Sequence, residues 1–165
     1  MGMVIVLRRA SSSDIERLIA DPDDWETFVY EEGDQQNDIV DFDKAWHALH
    51  FMLTGAAYNT DSPLGIIAND GETIGTDENG FGGFTVVSPA QMKMFDEALR
   101  RIDDAELASH YDHAAMLEHD IYIADAFAGL TREEALEYIF QSLPALRDLT
   151  ASCAKAGDGA LRILT

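Results

Sequence analysis

Basic side chains are scarce in this chain: 11 Lys and Arg stand against 31 Asp and Glu, for a formal net charge of −20. A surface of that sign repels phosphate backbones and anionic headgroups, whose binding rests on clustered Lys and Arg, so neither nucleic acid nor a membrane surface is an expected partner. Cysteine is nearly absent. The single Cys153 cannot form an internal disulfide, and its neighbours Ser152 and Ala154 read as helix rather than as a metal knuckle. No apolar run approaches the roughly 20 residues of a membrane span. Val4 to Leu7 is too short for a signal core and has its Arg8 and Arg9 on the wrong side; Val6 stands where a myristoylation signal needs Ser or Thr. A soluble, cytoplasmic protein is the expectation.

What is present is a succession of short, well-punctuated elements. A chain of 165 residues suits one domain, burying roughly 70% of the surface that its unfolded form exposes. Met3 to Leu7 reads as a strand, and Ser13-Asp14-Ile15-Glu16 as a capping box opening a short helix. Asp21-Pro22 starts a second helical segment with Trp25, Phe28 and Val29 on its apolar side. Glu31 to Asp38 reads as loop, and Tyr58 to Gly83, rich in Gly, Asn, Asp and Thr, as a long excursion around the island Pro63 to Ile67. Long loops in compact domains are often functional. Phe84 to Val87 returns to strand, and Ser88-Pro89 caps a helix marked by Met92, Phe95, Leu99 and Ile102. Asp103 or Asp104 caps the next, with Leu107, Tyr111, Ala114 and Leu117 on its predicted buried side. Thr131 to Glu134 forms another capping box, predicting a long helix to about Lys155 that Pro144 kinks or interrupts. Gly157 and Gly159 turn the chain into a closing strand, Ala160 to Leu164.

The run from Asp41 to Gly55 is the most informative. Asp41 is placed to cap the helix, Phe42, Ala45, Trp46, Leu49 and Leu53 share one face, and Gly55 supplies a left-handed stop.

Several motifs occur in order: Met1-Gly2-Met3; Asp43, Lys44, Trp46, Leu49, His50, Leu53, Thr54 and Gly55; then Pro63-Leu64, Ile74-Gly75, Gly80-Phe81-Gly82, Ser88-Pro89 and Asp120-Ile121-Tyr122. In this pattern the chain resembles, along nearly its whole length, the YfbM-like family of bacterial domains of unknown function. The resemblance implies an α+β fold, a single domain over residues 1–165 with a small mixed sheet and several flanking helices, and carries over no catalytic residues. The family often has Pro after the Ile-Tyr step, where this chain has Ile123.

Tested against chemistry, the polar residues favour structural roles. Asp43, His47 and His50, spaced four and three apart, could share a helix edge as metal ligands. His50 lies between Trp46 and Thr54 along the apolar face, however, where a buried His satisfied by a backbone or hydroxyl partner is the usual outcome. Glu106, His110 and His113 form a similar trio, with His119 beyond; the metalloprotease spacing is missing, and a solvated helix edge accounts for them. No metal site is expected.

Gly75 and Gly80 have the outer spacing of a phosphate loop, but Phe81 occupies the lysine position. The acidic residues from Asp70 to Asn79 lack the order of a calcium loop. No Gly-x-Ser-x-Gly elbow is present, and Asp23-Asp24 and Asp103-Asp104 suit helix starts better than acid/base work. No cofactor is expected. Two function classes remain. The first is a non-catalytic acidic interaction protein, an inhibitor or immunity-type protein binding a basic partner. The second is a small-molecule enzyme or binding protein with its pocket between the Trp46 helix and the 58–83 loop, built from Asp43, Trp46, His50, Thr54 and Tyr58, with His50 as the titratable group.

Overall fold

The computed structural model describes residues 2–165. Five strands, β1 (Ile5–Ala10), β2 (Ile39–Asp41), β3 (Thr73–Ile74), β4 (Phe84–Val87) and β5 (Gly159–Leu164), form one sheet in the order β2-β1-β5-β4-β3. Every pairing is antiparallel, so the sheet is not the mixed one expected although the class is α+β. Strand direction is set by how the helical excursions return the chain, which the strands' own residues do not encode. The two ends of the chain pair at the centre of the sheet, Ile5 opposite Leu164 and Ala10 opposite Gly159.

Alternation along the strands gives the sheet two apolar faces. Val6, Phe84, Leu161 and Ile163 pack under α1 (Ser12–Ala20) and α2 (Trp25–Tyr30), which contribute Ile15, Leu18, Trp25 and Phe28. Ile5, Leu7, Val87 and Ala160 face the larger core built by α3 (Trp46–Thr54), α4 (Pro89–Leu99), α5 (Asp104–Ser109), α6 (His113–Glu118), α7 (Arg132–Ile139) and α8 (Leu143–Ala156). Between α4 and α8, the buried Asp96 accepts from Thr150 Oγ1 at 3.4 Å and pairs with Arg100 at 2.9 Å. Arg147 of α8 donates to Leu99 O and Ile102 O, satisfying carbonyls left open where α4 ends.

Several boundaries differ from the sequence reading. The first capping box is Ser11 with Asp14, not Ser13 with Glu16: Ser11 Oγ accepts from Asp14 N–H, and the Asp14 carboxylate accepts from Ser11 N–H. β2 follows the polar stretch, and its β-branched Ile39 and Val40 pair with Arg8 and Leu7 of β1. Asp41 belongs to β2 and accepts from Asp43 N–H at 2.7 Å; a single 3₁₀ turn then leads into α3, which has no side-chain cap. The chain breaks between α5 and α6, so the helical phase changes: Met116 is buried and Leu117 exposed. Thr131 to Glu134 caps α7 as expected, but α7 ends at Ile139 and Pro144 lies in the first turn of α8, where a missing N–H costs nothing. Ile123 adopts φ 59°, a conformation closed to the Pro that the family often carries there.

Gly83 explains one tight passage. A Cβ there would lie 2.0 Å from Ile74 O and 2.9 Å from Gly75 C, both backbone atoms that cannot step aside. Gly83→Ala is therefore expected to cost about 1–3 kcal/mol, the range for forced overpacking, with amide exchange accelerating at Thr73 and Ile74. Unchanged exchange there, with unchanged stability, would contradict the tight contact.

Candidate functional site

α3 is buried on every side from Trp46 to Leu53, not on one face as its pattern suggested. Its ends are fixed from outside the helix. Trp46 Nε1 donates to Met3 O at 3.1 Å, and Met3 N–H donates to Tyr122 Oη at 3.0 Å, so the opening residues and the Ile121-Tyr122 step are clamped onto one indole. The Trp46 ring stacks on His47 (centroids 4.7 Å apart) and on Tyr122 (6.1 Å), while His47 meets Tyr58 at 4.7 Å. Gly55 closes the helix with φ 72°, as its position implied.

The histidines are committed to backbone. His47 Nε2 donates to Ala57 O at 2.5 Å and its Nδ1 accepts from Tyr122 N–H at 2.9 Å, fixing a neutral tautomer. His50 Nε2 donates to Tyr58 O at 2.8 Å, tying α3 to the start of the long excursion. Burial pushes the basicity of both down, that of His50 to about 4. His110 Nδ1 bonds Met52 O and His113 Nε2 bonds Ala124 O, while His119 packs on the Phe51 ring; Glu106, His110 and His119 are exposed, as a solvated edge implies, and His113 is partly buried. Asp43, at φ 47°, accepts from Tyr138 Oη at 2.8 Å; burial first, and then Asp43, pushes the Tyr138 phenol up to about 12. Thr54 Oγ1 donates to His50 O and accepts from Ala56 N–H. Burial raises the Cys153 thiol to about 12, far from a nucleophile's range. Among the described residues no group of three or more His, Cys, Asp and Glu is arranged to hold a metal ion.

Open space lies on the other side of the Trp46 cluster, where the 58–83 excursion crosses the sheet. One groove of about 500 Å³ runs between Thr60 to Ile66, Asp70 to Glu72, β4 and the Met94 face of α4. A second cleft of about 230 Å³ lies between Trp46, Tyr58, Phe81 and β5. Trp46 and Tyr58 thus line open space; Asp43, His50 and Thr54 do not, and His50 is wholly buried. The two spaces share Asn69, Asp70, Gly71, Thr85 and Arg162.

Arg162 is the residue that sequence reasoning passed over. It sits on the central strand β5 opposite Leu7 and Thr85, a half-buried guanidinium among apolar neighbours. Its Nη1 donates to Ile66 O at 2.8 Å, yet among the described residues no carboxylate oxygen lies within 4.0 Å of it. Burial lowers its basicity, and Asp70 only partly offsets that. The available signal was the strand Ala160-Leu161-Arg162-Ile163-Leu164, with a charge at an interior position. Apolar exposure is concentrated here as well: of the seven large hydrophobic side chains left exposed among the described residues, Ile19 and Met94 border the groove, Tyr58 and Phe81 the cleft. Scattered exposed hydrophobics are ordinary; here four of them border two joined spaces.

A family model described as "Domain of unknown function (DUF1877)" matches residues 1–163. The chain belongs to the DUF1877 family. No curated protein matches its sequence. Among solved structures it is similar to the crystal structure of YfbM, a protein of unknown function from Escherichia coli, with 19% identity and a TM-score of 0.66 over 98% of this chain and 99% of that one. At that identity the likeness establishes the DUF1877 fold alone, which agrees with the resemblance read from the Trp46 helix and the later motifs. No described helix is long and apolar enough to cross a membrane.

Proposed function

We propose that the protein is a non-catalytic binding protein whose small-molecule site is the pair of spaces joined at Arg162. The observation that carries this reading is a half-buried guanidinium that, among the described residues, has no ion-pair partner and lies where groove and cleft meet. A buried charge is costly unless something neutralises it, and a bound anion would do so with a planar fork of donors. The combined space falls within the range of small-molecule sites. Binding without catalysis is supported by the engagement of four His rings with backbone carbonyls and by the unreactive thiol.

Thermal melts against a panel of small carboxylates, zwitterionic amino acids included, with phosphates and neutral analogues, test the reading. A carboxylate that binds should raise the melting temperature progressively, by the equivalent of about 2.7 kcal/mol at a hundred times its Kd. The shift should vanish in Arg162→Met, or, if that variant folds poorly, weaken in Tyr58→Ala at the exposed mouth. No shift with any anion would overturn it.

A second reading keeps the acidic exterior as a recognition surface for a basic protein, as an inhibitor or immunity-type partner would use it. Arg8, Arg9, Arg17, Arg100 and Arg147 are held in internal ion pairs, which leaves few cations to moderate the surface acids. Such a complex should be retained at low ionic strength and released at high, as the Debye length shrinks from about 10 Å at 0.1 M to about 3 Å at 1 M. Variable retention of many proteins, with no single component rebinding once purified, counts against it. The lone buried thiol suits a reducing, cytoplasmic compartment.

A further inference from the structure

We infer that the ligand of the Arg162 site is a small zwitterion, an α-amino acid with an apolar side chain, whose carboxylate meets Arg162 and whose ammonium meets the acids of the groove wall. This rests on the binding reading above and narrows it by charge and polarity.

The first constraint is the guanidinium. With Nη1 turned to Ile66 O, the fork retains donors for a carboxylate, and Arg162 lines both the groove and the cleft. The second constraint is the surrounding charge. Asp61, Asp70 and Glu72 line the same groove and are exposed. Asp70 is held by Asn59, whose Nδ2 donates to its carboxylate at 2.5 Å and whose Oδ1 accepts from its N–H at 2.6 Å, so it is positioned rather than loose. A simple anion entering this groove would gain one guanidinium and meet three carboxylates on a chain of net charge −20. A molecule carrying its own ammonium turns that repulsion into a second attachment.

The third constraint is the apolar border. Ile19 and Met94 stand 50% and 55% exposed beside Pro63 and Ile66, a surface that a charged ligand without an apolar part would leave wet. An aliphatic or aromatic side chain covers it and contributes about 25 cal/mol for each Å² removed from water. Size agrees, since a groove of about 500 Å³ accommodates an amino acid with room for its side chain.

Isothermal titration with three probes separates these constraints: L-phenylalanine, 3-phenylpropionate, which lacks the ammonium, and phenethylamine, which lacks the carboxylate. L-leucine serves as the aliphatic counterpart of the first. The expected result is that at least one of the two amino acids binds, with phenylpropionate and phenethylamine each at least tenfold weaker than L-phenylalanine or undetected. Arg162→Lys, which keeps the charge and loses the fork, should weaken amino-acid binding at least tenfold. Glu72→Gln, an exposed change that leaves the core alone, should narrow the gap between L-phenylalanine and phenylpropionate. Phenylpropionate binding as tightly as L-phenylalanine would overturn the zwitterion and leave the anion site standing. Binding of other carboxylates or phosphates in the melt panel, with none of these probes binding, would do the same. Failure of every anion in both experiments would overturn the site itself.

Discussion

Trp46→Ala is expected to destabilise the protein by about 3–5 kcal/mol, the range for deleting a large buried aromatic. Trp46 is 4% exposed and holds three otherwise separate parts of the chain. Its indole N–H secures Met3, which in turn binds Tyr122; its ring stacks on Tyr122 and His47. Truncation removes the apolar area and leaves Met3 O without its donor, so transfer and hydrogen-bond losses fall on one site. Trp46→Phe restores part of the ring and should cost clearly less. Chemical denaturation of the three proteins at one pH decides it. A loss below about 1 kcal/mol for Trp46→Ala, well under the burial range, would mean that the indole is a recognition group of the cleft rather than an anchor.

The same residue shows how much could be read without coordinates. Trp46, Met3 and Tyr122 belong to the motifs that carry the family resemblance, and their convergence on one cluster explains why such distant motifs occur together. Local signals were legible wherever a few neighbouring residues decide the outcome: the Ser88-Pro89 helix start, Thr131 with Glu134, Gly55 as a left-handed stop, and Gly157 at the turn into the last strand. They failed where long-range pairing decides. The register of β2 against β1 was not legible, and the cap of α1, read at Ser13, falls on Ser11 directly after β1 ends. Pro144 allowed either a kinked helix or a helix start, and the break after Ile139 chose the latter.

The site was half legible for the same reason. Trp46 and Tyr58 were placed near the excursion by adjacency to it, and they do border the cleft. His50 was read first as a buried ring satisfied by a backbone or hydroxyl partner, and as the titratable group only if the pocket lay beside it; the ring is buried and its Nε2 donates to Tyr58 O, as the first reading has it. Arg162 lies more than ninety residues from Ile66 in sequence, and only the sheet register puts it beneath the excursion. A charge in a central strand is the trace that such a register leaves in sequence.

Lowering the pH from about 6.5 to about 4 is expected to remove about 3 kcal/mol of stability through His50 alone. In the folded protein burial holds this ring neutral down to about 4, whereas an unfolded His takes up its proton near 6.5. As pH falls through that window the unfolded state binds more protons than the folded one, so stability falls with it; above about 6.5 both states are neutral and the effect disappears. At about 1.4 kcal/mol for each pH unit, a depression from 6.5 to about 4 sets the magnitude. The cause is visible in the packing: Nδ1 of His50 is buried with no hydrogen-bond partner among the described residues, so a proton placed there would lie in the core unsolvated. His47 acts in the same direction, since protonating its Nδ1 would set an N–H against the N–H of Tyr122. Loss of negative charge on approach to the pI near 4.2 relieves self-repulsion and opposes both. The measurement is therefore the difference between the parent and His50→Gln, followed by denaturant unfolding from pH 7.5 to 4. Because the general charge effect is common to both proteins, the parent should lose stability more steeply than the variant below 6.5, by a gap growing toward about 3 kcal/mol. Parallel curves would show that His50 titrates normally, and hence that its ring reaches water.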